Sequence, residues 1–194
     1  MGEYGEKLRK LEELCRKLYP NDDIHGWGHI ERVRKLCKIL AREEKNVNYL
    51  VLEAAALLHD IERNAPNHAE ASALKAKEIL ENLRFSEEFI GHVVEAIRTH
   101  SFSAGKRPES IEAKILSDAD KIDALGAVGV FRAAAYGGLI GRGIDGLIKH
   151  AQEKLLNLEN YILTRAGKRL AKRRQSFIAQ YIEELLRELR ELEL

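Results

Sequence analysis

Six of the seven histidines lie between His25 and His100. Imidazole titrates near neutral pH and is the commonest protein ligand for transition metals, so this concentration points to metal or acid–base chemistry. His25 and His29 stand four residues apart, one turn if the segment is helical. His59 is followed at once by Asp60, and the pair closes an apolar run from Leu50 to Leu58. Two ionisable groups leaving a buried helix need partners, because an unpaired buried charge is costly. A His–Asp hydrogen bond, a helix-end ion pair or a shared metal would each serve. His100 follows Val93 and Ile97 on the stripe its helix would bury, whereas His92 lies off that stripe. His68 opens a helix after Pro66, where it can point into a cleft, and His150 is expected to be solvated or capping. Asp118, Asp120 and Asp123 add carboxylates, but offsets of two and three residues cannot place all three on one helical face. Exposed acids beside Lys121 are the simplest account of them, and periodicity does not select a ligand.

The elements that must position these groups are helical throughout. Apolar residues recur at helical spacing over 6–18, 27–44, 47–61, 68–83, 86–100, 110–123, 125–136, 144–158 and 167–191, with no alternating strand pattern. Turn signals separate them at Tyr19-Pro20-Asn21-Asp22, Asn64-Ala65-Pro66-Asn67, the stretch 103–108 and the glycine-rich stretch 137–146. The helix over 47–61 is apolar on nearly every face and should be the central buried one. An all-α single domain is expected.

Composition excludes several classes. The 194 residues are 45% hydrophobic with only 3 prolines, which argues against disorder. Lys and Arg number 32 against 31 acids, so a dedicated nucleic-acid binder is disfavoured. No stretch approaches the ~18 apolar residues of a membrane span. The opening MGEYGEKLRKLEELC lacks the apolar core of a signal peptide, so the cytoplasm is the expected compartment. Cys15 and Cys37 are far apart, without metal-pair spacing, and are expected to be reduced, partly buried thiols.

Taken in order, HGWGHIERV, AAALLHDIER, HAEASA, AIRTHSF and ILSDADKIDALGAVGVFR resemble the HD superfamily of metal-dependent phosphohydrolases. The likeness is to its small stand-alone members, a subgroup with enzymes similar to nucleoside triphosphate pyrophosphohydrolases. It implies a single-domain helical bundle with an HD core over about 20–136, a glycine-rich loop 137–146 and C-terminal helices over 147–194, the last one long. By position it implies metal ligation by His29, His59, Asp60 and Asp120, the alignment of the aspartate after alanine choosing Asp120 over Asp118. Lys121 matches a phosphate-contacting position in some relatives. His68 and His100 match positions that bind a second metal or phosphate in others. Asp123 would orient its neighbours and Asp118 support the segment. The resemblance implies a divalent cofactor, Mn²⁺ favoured over Mg²⁺, Fe²⁺, Zn²⁺ or Ni²⁺, and a small phosphorylated substrate such as a nucleotide. Water activated by the metal would attack phosphorus, possible products being (d)NMP and pyrophosphate. A nucleotide phosphomonoesterase and a catalytically silent metal or nucleotide sensor are the alternatives.

One position departs from the nucleotidase and alarmone-hydrolase branches, which carry an acid three residues after the HD aspartate. Here Arg63 stands there, offering a phosphate-binding cation or a helix-end charge. His25, Arg142 and Arg174 are further candidate substrate contacts, Arg142 in the glycine-rich stretch and Arg174 in a basic run. That run (Lys168, Arg169, Lys172, Arg173, Arg174) begins the last helix, and Glu183, Glu184, Glu188, Glu191 and Glu193 crowd its end. The order opposes the helix dipole, so packing by Leu170, Phe177, Ile178, Tyr181, Ile182, Leu185 and Leu189 must outweigh it. Gly141-Arg142-Gly143-Ile144-Asp145-Gly146 matches a dinucleotide fingerprint, but a helix rather than a strand is expected before it.

Overall fold

A computed structural model describes residues 2–101 and 107–192; Glu193 and most of the turn signal at 103–108 fall outside them. Among the described residues all regular structure is helical: α1 (Glu3–Leu18), α2 (Trp27–Ala41), α3 (Tyr49–Leu58), α4 (His68–Asn82), α5 (Glu87–His100), α6 (Ile111–Asp123), α7 (Gly126–Leu139), α8 (Ile144–Glu153) and α9 (Arg165–Glu191). Among the described residues no helix is long and apolar enough to cross a membrane. The chain divides into two compact units, Met1–Asp120 and Lys121–Leu194.

In the first unit α3 is central, packed against α1, α2, α4 and α5. Its sequence explains this position: Ala54, Ala55 and Ala56 are fully buried, and small side chains let neighbouring helices approach closely. The apolar wrap begins only at Val51, since Tyr49 and Leu50 are exposed. Asn48 caps α3 by accepting from the Leu50 and Val51 amides, both at 3.2 Å. Its own amide donates to Glu112 Oε1 at 2.6 Å, which ties α6 to the start of α3. Arg98 binds Glu70 and so joins α5 to α4. Cys15 and Cys37 are free and buried, and burial pushes the Cys15 thiol up to about 12, so neither is a reactive thiolate.

In the second unit α9 packs against α7 and the 3₁₀ segment Leu155–Tyr161. The single helix expected over 144–158 breaks at Glu153 and continues as that 3₁₀ turn. The glycine-rich stretch is also mostly helical, because α7 runs through Gly137 and Gly138, leaving only 140–143 between α7 and α8. The GxGxxG match therefore follows a helix. Thr164 caps α9, accepting from the Gly167 amide at 3.1 Å. Ile178 and Ile182 bury as expected, whereas Phe177 faces outward at 42% exposure and Leu170 is only half-buried.

Candidate metal centre

Four helices bring donor residues to one place in the first unit. α2 delivers His29 in its first turn, α3 ends at Leu58 just before His59 and Asp60, α5 ends at His100, and α6 carries Asp120. The entry to α2 is set by Asp22, a residue the sequence reading did not single out. Its Oδ1 accepts from the amides of Ile24, His25 and Gly26 at 2.8, 2.9 and 3.0 Å. Trp27 N donates to Pro20 O at 2.8 Å, so the chain crosses itself tightly here. A Cβ on Gly26 would stand 2.1 Å from Pro20 O, which explains the first glycine of HGWGH. His25 precedes α2 and does not share a helical turn with His29; their ring centroids are 6.3 Å apart.

The donor atoms converge. His29 Nε2 lies 3.2 Å from His59 Nε2, 3.5 Å from Asp120 Oδ1 and 3.7 Å from Asp60 Oδ2. The other oxygen of Asp60 faces elsewhere: Oδ1 is 3.7 Å from His100 Nε2 and 3.8 Å from His68 Nε2. Asp60 therefore stands between two histidine groups, one oxygen toward each. Arg63 Nη1 lies 3.4 Å from Asp60 Oδ2 and 3.3 Å from His68 Nε2. Glu62, beside it, is exposed.

His59 Nδ1 is 2.9 Å from Ala56 O, and His100 Nδ1 is 2.6 Å from Ile97 O. A carbonyl can only accept, so each Nδ1 carries the proton, and in a neutral ring Nε2 keeps its lone pair for the centre. A backbone carbonyl fixing the far nitrogen of a ligating histidine is the usual support in metal sites. The set fits a divalent ion on two further grounds. Imidazole nitrogen with carboxylate oxygen suits Mn²⁺, Fe²⁺, Zn²⁺ or Ni²⁺. Donors sharing an ion at about 2.0–2.2 Å stand roughly 3–3.6 Å apart, close to the spacings around His29. Among the described residues two trios have donor atoms all within 4.8 Å: His29, His59 and Asp120, and His59, Asp60 and His100.

Burial dominates at His59 and pushes it down to about 4, leaving the neutral imidazole a metal requires. Burial would raise Asp60, but His59, His100, Arg63 and His29 outweigh it and hold the carboxyl well below the usual range. Asp120 is likewise held down against burial, chiefly by His29, His100 and His59. At His100 burial is outweighed by Asp60 and Asp120, which lift it above the ordinary histidine value. Burial lowers His68.

A model of the HD domain family matches residues 26–125, a span that includes every one of these donors. The chain belongs to the HD domain family. Its HD dipeptide is His59-Asp60. Protein YpgQ of Bacillus subtilis is 32% identical over 174 residues, covering 85% of this chain and 84% of that protein. The crystal structure of YpgQ in complex with ADP superposes with a TM-score of 0.81 at 29% identity, covering 96% of this chain and 97% of the other. An HD-superfamily hydrolase from Bacillus thuringiensis gives 0.76 at 34% identity, covering 96% and 98%.

The remaining expected site residues of this HD protein are placed as follows. Asp118, Lys121 and Asp123 are buried, not exposed acids with a solvated lysine. In the second unit Asp123 Oδ2 accepts from Arg132 Nη1 at 2.9 Å, a pairing the sequence reading missed. Arg174 Nη1 donates to Ile122 O at 2.8 Å and its stem covers Gly126, whose φ is +74°. The stem of Arg142 lies against Gly137 and Gly146. His92 is exposed and His150 half-buried on α8, where burial lowers it.

Proposed function

We propose that the chain is a divalent-metal-dependent phosphohydrolase acting on nucleotides, and that its reaction converts a (d)NTP to (d)NMP and pyrophosphate. The observation that carries this reading is the double facing of Asp60, with one oxygen toward His29 and the other toward His68 and His100. Such a carboxylate can serve ion-holding groups on one side and phosphate-holding groups on the other. His29, His59, Asp60 and Asp120 would hold the ion. When bound, a divalent ion supplies Lewis acidity and lowers the pKa of a coordinated water toward ~7.

The chain's own residues then have separable tasks. Ala56 O keeps His59 in the tautomer that offers Nε2 inward. Arg63 and His68, both partly exposed beside Asp60, offer donors to phosphoryl oxygens and offset charge developing there. Arg63 replaces the acid used by the nucleotidase and alarmone-hydrolase branches, which favours a polyphosphate substrate over those chemistries. His25 is a further candidate substrate contact. The ADP bound by YpgQ supports a nucleotide as the ligand.

The test is a release screen over nucleoside mono-, di- and triphosphates with Mn²⁺, Mg²⁺, Zn²⁺ or Ni²⁺. Pyrophosphate without orthophosphate from triphosphates is expected. Orthophosphate from monophosphates would select the phosphomonoesterase instead, and metal binding without turnover would select the sensor.

A further inference from the structure

The two sides of Asp60 are served by different helices, and one buried hydroxyl joins them. His100 is the last residue of α5, and the final four carbonyls of a helix find no partner within it. Ser117 of α6 supplies one from outside, its Oγ donating to His100 O at 2.9 Å. Ser117 is 2% exposed and His100 fully buried, so the bond lies in a low-dielectric interior where it is stronger than in water. The same turn of α5 holds the His100 ring, whose Nδ1 donates to Ile97 O at 2.6 Å. Fixing the His100 carbonyl therefore fixes the ring, and with it the 3.7 Å approach of Nε2 to Asp60 Oδ1.

Ser117 also belongs to the helix that serves the other side. Asp120 follows it by three residues, a rise of about 4.5 Å and an angular offset of about 60°, so both side chains share a face of α6. From that face Asp120 Oδ1 comes to 3.5 Å from His29 Nε2. One turn of α6 thus grips the histidine on the phosphate-facing side and delivers a carboxylate to the ion-facing side. We infer, on the reading that Asp60 divides ion-holding from phosphate-holding groups, that Ser117 is a positioning residue. By locking the end of α5 to α6 it sets the distance between His100 and the ion-holding donors.

Two other ties on α5 lie where they cannot take this task. Ser110 Oγ donates to Glu95 Oε2 at 2.7 Å and accepts from the Ala113 amide at 3.1 Å. It stands seven residues before Ser117, about 10 Å away along α6. Arg98 binds Glu70 of α4 two residues before His100, on another side of α5. Those two side chains are 35% and 32% exposed, and an ion pair so open to solvent holds a helix end only weakly.

The experiment compares Ser117→Ala with Ser110→Ala, each of which loses one hydroxyl tying α5 to α6. Alanine is the better helix former, so Ser117→Ala keeps its helix. The His100 ring is followed by nitrogen-detected NMR on the full chain carrying labelled histidine, with diamagnetic Mg²⁺ present, and is assigned by its loss in His100→Ala. One sharp ring signal is expected for wild type and for Ser110→Ala, and a shifted or broadened one for Ser117→Ala. An unmoved signal in Ser117→Ala, or the same change in Ser110→Ala, would overturn the inference. This readout needs no turnover, whereas failure of the phosphohydrolase reading would show only in the release screen. On the Mn²⁺-loaded enzyme, Ser117→Ala should lower kcat about tenfold to a hundredfold with Mn²⁺ affinity unchanged. Added to His100→Ala, it should lower kcat by no more than about twofold, because no ring is left to position. The full loss repeated in that background would also overturn the inference.

Discussion

The glycines of HGWGH allow a sharp comparison, because a methyl group on either would meet an oxygen at 2.1 Å. On Gly26 that oxygen is the Pro20 carbonyl, with the Asp22 amide nitrogen 2.8 Å away. Gly26 is extended, at φ −86° and ψ −157°, so alanine there is not strained by its dihedrals; it simply has no room. Backbone must retreat by about 1 Å, which breaks the Trp27–Pro20 hydrogen bond and loosens the three amides held by Asp22. Two or three hydrogen bonds at about 0.5–1.5 kcal/mol each put the cost of Gly26→Ala at about 1–4.5 kcal/mol. For a chain of this size that is a fall in Tm of about 2–18 °C. On Gly28 the oxygen is Asp23 Oδ1, at the tip of an exposed side chain that can swing aside. Losing its ion pair with Arg32 costs up to ~1 kcal/mol, and alanine in a first helical turn returns a similar amount. Gly28→Ala should therefore stay within about 1 kcal/mol of wild type. Thermal unfolding measures both, and a metal titration of Gly26→Ala should show weaker binding, since His29 lies three residues on. If Gly26→Ala melts with wild type, or Gly28→Ala falls as far as Gly26→Ala, the account of this crossing is wrong.

Other positions give independent checks. Gly91 is exposed on α5 with nothing near its Cβ position, so Gly91→Ala should stabilise by about 0.5–1 kcal/mol in urea unfolding. Arg132→Met removes the cation that the buried Asp123 carboxylate holds at 2.9 Å and should destabilise the chain, by up to about 3–5 kcal/mol in the same assay. At Asp22 burial is outweighed by the His25, Gly26 and Ile24 amides, which hold its carboxyl below the ordinary value. Its stabilisation is therefore present above the unfolded pKa of about 3.9 and lost as pH falls through the lower folded value. Wild type should exceed Asp22→Ala by about 0.5–2 kcal/mol at pH 6, a gap that closes below about pH 4. A gap that widens in acid would contradict this.

Sequence periodicity located the helices because each of them has an apolar face to bury, and α3 was legible as central from its apolar run, interrupted only by Glu53. The ends were less legible. Nothing in the pattern over 144–158 marks the change at Lys154 from α-helix to 3₁₀, and the glycines at 137 and 138 suggested a loop where α7 continues. Among the site residues, His29 Nε2 lies within 3.7 Å of donor atoms of His59, Asp60 and Asp120, a proximity that helical spacing could not show, since it could not choose Asp120. His100 was readable from its buried stripe. Asp22 was a turn signal whose side-chain role depends on three amides folding back onto it. The Asp123–Arg132 pair joins two helices nine residues apart, a proximity that no single-helix pattern records.

The most direct test of the central claim joins metal content to turnover in one preparation. Wild type, stripped by a chelator and reloaded with Mn²⁺, should regain both bound metal and pyrophosphate release from a nucleoside triphosphate. Asp60→Ala, treated identically and still helical by circular dichroism, should regain neither. Hydrolysis by the stripped protein, or by Asp60→Ala, would contradict a reaction built on this centre.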